Sequence, residues 1–259
     1  MDAKPSLCQV THVSSPHPPL PLGPGVRVLH AHPAGLIALE KPAGLLSHPN
    51  TPAESPRSLL TTPYDPDQES YALDDGKAAH LIHRLDSATS GVLLIALDPT
   101  LATLIRQRFA GREVEKHYAA LVFGVPRRRH ESWRDQLHIS HQQGRLRTTS
   151  AAAAEGDAAT CDMTQLRIIT GQPVLTLLQL QPHTGRSHQL RVQCQKRHLP
   201  IVGDATYGDF AKNRLFAQKT GHKRLFLHAH RVTLTFPWAK QTQHFTAESP
   251  LPPEFNRPR

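Results

Sequence analysis

Cysteine is scarce in this chain of 259 residues: Cys8, Cys161 and Cys194 are odd in number and far apart. They form neither a disulfide framework nor a Cys-x-x-Cys half-site, so isolated thiols in a reducing compartment are expected. No apolar run approaches the length of a membrane-spanning helix. The first residues lack the basic start, apolar run and small-residue cleavage site of a secretory signal. The cytoplasm is therefore the expected location, with no membrane as partner. Glycine-rich phosphate loops and internal repeats are also missing. Acidic residues are in deficit, 21 against 30 lysines and arginines, giving a net charge of +9. Such a balance favours a polyanionic partner, above all nucleic acid. The 18 histidines include two close pairs, His80/His83 and His228/His230. No carboxylate or cysteine set stands at ligand spacing beside them, so no metal is expected.

Hydrophobic residues make up 38% of the chain, enough for one sizeable core. Residues 1–25 are rich in proline and read as a tail. The body is expected over 26–250, with a second tail at 251–259. Gly35 to Glu40 reads as a strand. Residues 49–77 read as a loop, with a short helix around Ser58 to Thr62. Val92 to Leu97 reads as a buried strand. Asp98 is a good N-cap, Pro99 suits a first helical position, and Leu101, Leu104, Ile105 and Phe109 share a face up to Gly111. A strand follows at His117 to Phe123. Residues 126–160, with the basic run Arg127 to Arg129, read as irregular. Strands are expected at Val174 to Leu180 and Arg231 to Phe236, and a helix at Ser187 to Arg197. Without strict alternation of strands and helices, the expectation is an α+β domain. Its sheet should be mixed, mostly antiparallel and flanked by helices.

Four polar segments adjoin these strand ends, where loops gather to form sites. They are Glu40-Lys41-Pro42-Ala43-Gly44; His83-Arg84-Leu85-Asp86 running on to Thr89-Ser90-Gly91; Glu115-Lys116-His117-Tyr118; and Pro182-His183-Thr184-Gly185-Arg186-Ser187-His188-Gln189-Leu190-Arg191. The second places an acid two residues after an arginine, in a small-residue turn feeding an apolar strand. A carboxylate kept ionised and aimed is a competent nucleophile or base.

With Pro200-Ile201-Val202-Gly203-Asp204, Tyr207-Gly208 and Leu227-His228-Ala229, these segments resemble, in order, the RluA-type pseudouridine synthases. The likeness runs from about Val26 to Pro237. It implies a pseudouridine synthase-like catalytic domain standing alone, without an accessory S4-like domain. The implied reaction is a cofactor-free isomerisation of uridine in structured RNA: the bond from ribose C1′ to N1 is cut, the base turns, and C1′ is rejoined to C5. Asp86 matches the catalytic aspartate, which attacks C1′ or deprotonates C2′. Arg186 matches the site arginine and would pair with Asp86, with Arg191 able to share that role. Tyr118 matches the site tyrosine, whose ring would stack on the flipped uracil and whose phenol would help remove the C5 proton. Arg84 would fill the gap left by the flipped base. His83 is included among the RNA-facing residues. Leu190 and Leu227 would wall the base, and Lys41 would contact phosphate or support the sheet end. Ser87 and Gln193 depart from the family pattern.

Shape, stacking and phosphates dominate RNA recognition, so no residue reveals the target; ribosomal RNA is favoured over transfer RNA as the partner, and a monomer is the default. Two other classes remain: a catalytically silent RNA-binding or chaperone protein, and a two-carboxylate enzyme such as a glycosidase. The latter would need a second acid beside Asp86, and neither Glu40 nor Asp204 sits in a convincing motif.

Overall fold

A computed structural model describes residues 19–142, 145–150 and 157–256. Its strands are β1 (Arg27–Ala31), β2 (Leu36–Lys41), β3 (Tyr64–Asp65), β4 (Ser70–Ala72), β5 (Ala78–Leu81), β6 (Ser90–Ala96) and β7 (Glu115–Phe123). They continue as β8 (His130–Gln142), β9 (Arg145–Ser150), β10 (Asp157–Ile169), β11 (Leu175–Pro182), β12 (Leu227–Trp238) and β13 (Gln241–Glu248). The helices are α1 (Pro99–Ala110), α2 (Gln189–Lys196), α3 (Phe210–Thr220) and α4 (Pro253–Asn256). All these strands join one sheet, whose main path is β3-β4-β5-β6-β12-β7-β11-β10-β8-β9. Among the described strands only β6 and β12 pair in parallel, at Ser90–His228 and Gly91–Ala229. The sheet is thus mixed and mostly antiparallel, as expected, with helices against it. Among the described residues no helix is long and apolar enough to cross a membrane.

β6 explains the long apolar run after the Thr-Ser-Gly turn. All seven of its residues are buried. Val92, Leu94 and Ala96 face α1, β12 and β13, meeting Leu101, Ile105, Leu234 and Phe245. Leu93 and Ile95 face the other way, onto Leu59, Leu60, Tyr71 and Leu81. A strand covered on both faces has no polar face to alternate with. α1 begins and ends where its caps predict: the Asp98 carboxylate accepts the Leu101 N–H at 2.8 Å, and Gly111 closes the helix.

Several expectations need correction. Residues 126–160 are not irregular, because β8, β9 and the start of β10 occupy much of them. Trp133, Asp135 and Leu137 alternate inward on β8; the acid at the middle position masks the apolar period. Its carboxylate is satisfied by Lys196 (2.7 Å), Arg197 (2.9 Å) and Gln193 (2.9 Å), which makes its burial tolerable. Gln193, one of the two departures from the family pattern, is therefore a buried brace of β8. The short helix expected at Ser58 to Thr62 is instead a 3-10 turn at Pro52–Arg57, because Leu60 and Ser58 bridge to Leu22 and Leu46. Nor is the end of the chain a free tail: Phe255 of α4 is fully buried, 5.1 Å from the Phe226 ring, and Glu254 pairs with Arg224 at 2.9 Å. Most of the expected N-terminal tail, with Cys8, lies outside the described residues. Its last part rests on the body, where the Gly23 N–H donates to the Leu59 carbonyl at 2.9 Å.

Candidate active site

The loop from β5 into β6 carries Asp86 and is fixed at almost every residue around it. The His83 ring stacks on Phe109 at 4.8 Å, and its Nε2 accepts the Leu94 N–H at 3.2 Å. Burial, with the nearby Lys116 charge, pulls this imidazole down to about 3, so it stays neutral and keeps that acceptor. His83 therefore anchors the loop while also lining the cleft, where an RNA-facing role was expected for it. Leu85 is buried, and both its backbone groups bond the Ser47 hydroxyl, at 2.8 and 3.0 Å. The Thr89 N–H closes a turn onto the Asp86 carbonyl at 3.0 Å. The Ser87 carbonyl accepts from the Gly44 N–H (2.7 Å) and from Lys41 Nζ (3.0 Å).

Lys41 donates further to the carbonyls of Leu45 (2.7 Å) and Pro42 (3.0 Å) and has no exposed surface. Of the two expected roles, phosphate contact is therefore ruled out by burial and support of the loop is observed. Burial pulls its ammonium down to about 7, against the opposing pull of Asp86 and with a further push from Arg224.

The Asp86 side chain, 30% exposed, opens onto a cleft of about 720 Å³ lined also by Arg84, Tyr118, Leu190, Arg191 and Leu227. Arg191 sits in the first turn of α2. Its Nε and Nη2 bind both oxygens of Asp204 at 2.8 Å, and its Nη1 donates to Asp86 Oδ2 at 3.0 Å. One guanidinium thus bridges a buried carboxylate and the cleft carboxylate, the fixed-fork geometry that suits arginine to such sites. Burial opposes the Arg191 charge, but Asp204 and Asp86 more than compensate and raise its basicity further. Among the described residues Asp86 Oδ1 accepts no hydrogen bond, which leaves that oxygen free toward the cleft.

Here the expected pairing is corrected. Arg186 lines the cleft but turns to Asp157 at 3.4 Å, and Arg191 is the partner of Asp86. α2 begins at Gln189, two residues later than the sequence suggested. Arg186 is therefore left in the preceding turn, while Arg191 is carried on the inner face of the helix.

Tyr118 is half-buried in the cleft wall. Burial, then the Asp86 charge, pushes its phenol well above the usual range, so it stays protonated. Leu190 and Leu227, 7% and 4% exposed, share that wall and belong to the core behind it. Arg84 is exposed at the rim, 3.4 Å from His48 Nε2. Among the described residues the second acid required for a glycosidase is absent from the cleft. Asp204 is 1% exposed behind Arg191, and Glu40 pairs with Arg27 and Ser249. Among the described residues no group of three or more histidine, cysteine or acidic side chains is placed to hold a metal ion.

Sequence reasoning missed Ser47, Asp204, His188 and Tyr207 as site residues. A signal existed for Asp204: it is an acid in the apolar segment Pro200 to Gly203, and a buried acid needs a buried cation. His188 lay within a recognised segment, but its partner is 19 residues away.

Comparison with known proteins places the chain in a family. A family described as RNA pseudouridylate synthase matches residues 35–196, which span Asp86, Tyr118 and Arg191. The chain is 34% identical over 222 residues to tRNA pseudouridine synthase C of Vibrio cholerae, covering 80% of this chain and 84% of that protein. It is 31% identical over 173 residues to ribosomal large subunit pseudouridine synthase C of Vibrio vulnificus, covering 67% of this chain but 52% of that protein. Among solved structures, human RNA pseudouridylate synthase domain containing 4 superposes with a TM-score of 0.63 at 25% identity, covering 89% of this chain and 90% of that one. With an aspartate held open by an arginine fork at the end of a mixed sheet, and with relatives matched along most of its length, the chain belongs to the RNA pseudouridylate synthase family.

Proposed function

We propose that the protein isomerises a uridine in transfer RNA, with Asp86 as the reacting group. The observation that carries this reading is the Asp86 carboxylate, held at Oδ2 by Arg191 and free at Oδ1 in an open cleft. A flipped uridine would present its ribose to Oδ1. From there the carboxylate can attack C1′ or take the C2′ proton, and either route releases the base from C1′. Rejoining forms the C1′–C5 bond in place of C1′–N1. The proton leaves C5 and one is gained at N1, so the reaction balances without a co-reactant. Tyr118, Leu190 and Leu227 supply the surface on which the base turns. A phenol held protonated serves this by stacking and donating, which argues against the role of proton acceptor expected for it. Arg84, exposed at the rim, is placed to fill the stack that the base leaves.

The sequence reading leaned to ribosomal RNA. The relatives favour transfer RNA instead, because the chain spans 84% of the relative named for tRNA and only 52% of the one named for ribosomal RNA. Transfer RNA and large-subunit ribosomal RNA transcripts carrying tritium at uridine C5 test this directly. Release of tritium from transfer RNA by the wild type, abolished in Asp86→Asn with RNA binding retained, is the expected result. Release from the ribosomal transcript alone would overturn the choice of RNA. Tight binding of transfer RNA with no release from either transcript would make this a silent binding protein.

A further inference from the structure

His188 has a position that the reading above does not use. It precedes α2 with φ 54° and ψ 14°, a left-handed conformation that only a few residue types adopt readily. Its Nδ1 lies 2.8 Å from the Tyr207 hydroxyl, and its Nε2 lies 3.6 Å from Asp86 Oδ2. The Tyr207 hydroxyl oxygen also accepts the Thr148 N–H of β9 at 2.9 Å, while the Tyr207 N–H donates to Asp204 Oδ1 at 2.9 Å. The Tyr207 ring lies under the Arg191 guanidinium, 5.1 Å from its centre. Tyr207 therefore touches every group that holds the catalytic carboxylate.

The tautomer follows from these contacts. A ring nitrogen facing a carboxylate must carry a hydrogen, because a lone pair there would be repelled. Nε2–H thus points at Asp86, and Nδ1 accepts from Tyr207 O–H. At 3.6 Å the first contact is longer than a hydrogen bond. Catalytic contacts in an empty site commonly tighten when substrate binds.

We propose that Tyr207 and His188 form a positioning relay that aims Asp86: Tyr207 fixes the imidazole tautomer, and the Nε2–H and Arg191 together engage Oδ2, directing Oδ1 at the ribose. The relay rests on the reading of Asp86 as the reacting group. His188 is a positioning residue, acting through Asp86. The charged and titratable groups facing it are Asp86 from the β5–β6 loop, Arg191 from α2, and Asp204 and Tyr207 from the segment after α2. Burial, more than the opposing pull of Asp86, lowers the imidazole from its ordinary value. It is therefore neutral at neutral pH.

Two variants isolate the relay. His188→Asn keeps a residue that tolerates the left-handed backbone but is too short to reach Asp86. Tyr207→Phe keeps the ring beneath Arg191 and removes only the hydroxyl. For His188→Asn, kcat on RNA should fall about 10- to 100-fold, the scale of a misaimed reacting group, with KM within about twofold; Tyr207→Phe should show a smaller loss of the same kind. The acid limb of kcat should also flatten in His188→Asn, because an ionisation that changes the charge beside Asp86 Oδ2 is gone. An unchanged kcat, a loss confined to KM, or an acid limb parallel to that of the wild type would overturn the proposal.

Nitrogen-15 spectra of the free protein, with the His188 signals identified by their absence in His188→Asn, read the relay without turnover. The Nε2–H tautomer is expected, and Nδ1–H would overturn the relay. A wild type inactive on every RNA but showing Nε2–H would overturn the functional reading alone.

Discussion

Arg191→Met tests whether the guanidinium fork holds the site through buried charge. The substitution leaves the Asp204 carboxylate, 1% exposed, with only the N–H groups of Thr206 (2.8 Å) and Tyr207 (2.9 Å). Breaking a buried pair from one side costs roughly 3–5 kcal/mol, because the remaining charge is uncompensated. Arg191→Met/Asp204→Asn removes that charge while its side-chain oxygen keeps both backbone bonds. What remains is one buried amide donor without a partner, about 1–3 kcal/mol. The double variant should therefore be more stable than the single one by roughly 2 kcal/mol, or about 4–8 °C in Tm for a chain of this size. Neither should turn over RNA, since both leave Asp86 Oδ2 without its donor. Thermal melts of the two variants measure the difference. A double variant no more stable than the single would refute the argument, showing that the uncompensated carboxylate is not what the single variant suffers from.

The same pair predicts a pH signature. Burial works against the Asp204 charge, but Arg191 and the two N–H groups prevail and hold its carboxyl below the usual range. Its stabilising contribution is therefore present above the unfolded-state value of about 3.9 and is lost as pH falls below it. The stability advantage of wild type over the double variant should narrow in melts below about pH 4.

Three further outcomes follow from other residues. At Gly91, with φ +114°, an added Cβ would lie 2.1 Å from the Ala229 carbonyl oxygen at the parallel seam; Gly91→Ala should cost at least about 3 kcal/mol from overlap and strain, and a melt within 2 °C or so of wild type would contradict this. His83 and His228 are held neutral by burial, pulled to about 3 and about 4, so stability should decline as pH falls from about 6.5 toward those values, by at most ~1.4 kcal/mol per pH unit for each; a denaturation midpoint flat over this window would refute both. Arg84→Met, at an exposed position bonded among the described residues only to His48, should leave Tm unchanged within about 1 °C while lowering turnover on folded transfer RNA more than on a single-stranded fragment, and equal losses on the two substrates would remove the stack-filling role.

The proposed reacting acid and the local elements around it were legible in the sequence, because those signals are local. Asp98, Pro99 and Gly111 bracket α1 within its own residues, and the run from Val92 to Ile95 needs no distant partner to read as a buried strand. What was hidden depends on pairing at long range. Lys41 looks like any surface lysine until its three carbonyl acceptors, one of them on Ser87, are brought around it. β8 was obscured by Asp135, an inward acid that becomes sensible only beside Lys196 and Arg197 of α2 and the turn after it. The choice between Arg186 and Arg191 turned on a two-residue shift in the start of α2, and helix starts are the least legible feature of a sequence.

The site itself is set by one row across the sheet. Ser90 of β6 pairs with His228 of β12, His228 with Ala119 of β7, and Ala119 with Gln179 of β11. Asp86 enters just before Ser90, Leu227 just before His228 and Tyr118 just before Ala119, while Pro182 follows Gln179 into the loop that leads to α2. Acid, wall, ring and arginine helix are thus brought to one edge of the same row. Tyr118 pairs with Ala229, and Leu227 with Ala120, so Tyr118 and Leu227 share a face of the sheet. A slip of one residue between β7 and β12 would turn Tyr118 away and present His117 instead. At the parallel seam on the other side of β12, the close approach that Gly91 permits holds β6 to Ala229 in a single register. The small residue in the Thr-Ser-Gly turn therefore does more than complete a loop: it fixes where Leu227 stands relative to Asp86, five residues before it in the chain, and the β7–β12 pairing then sets Tyr118 against Leu227.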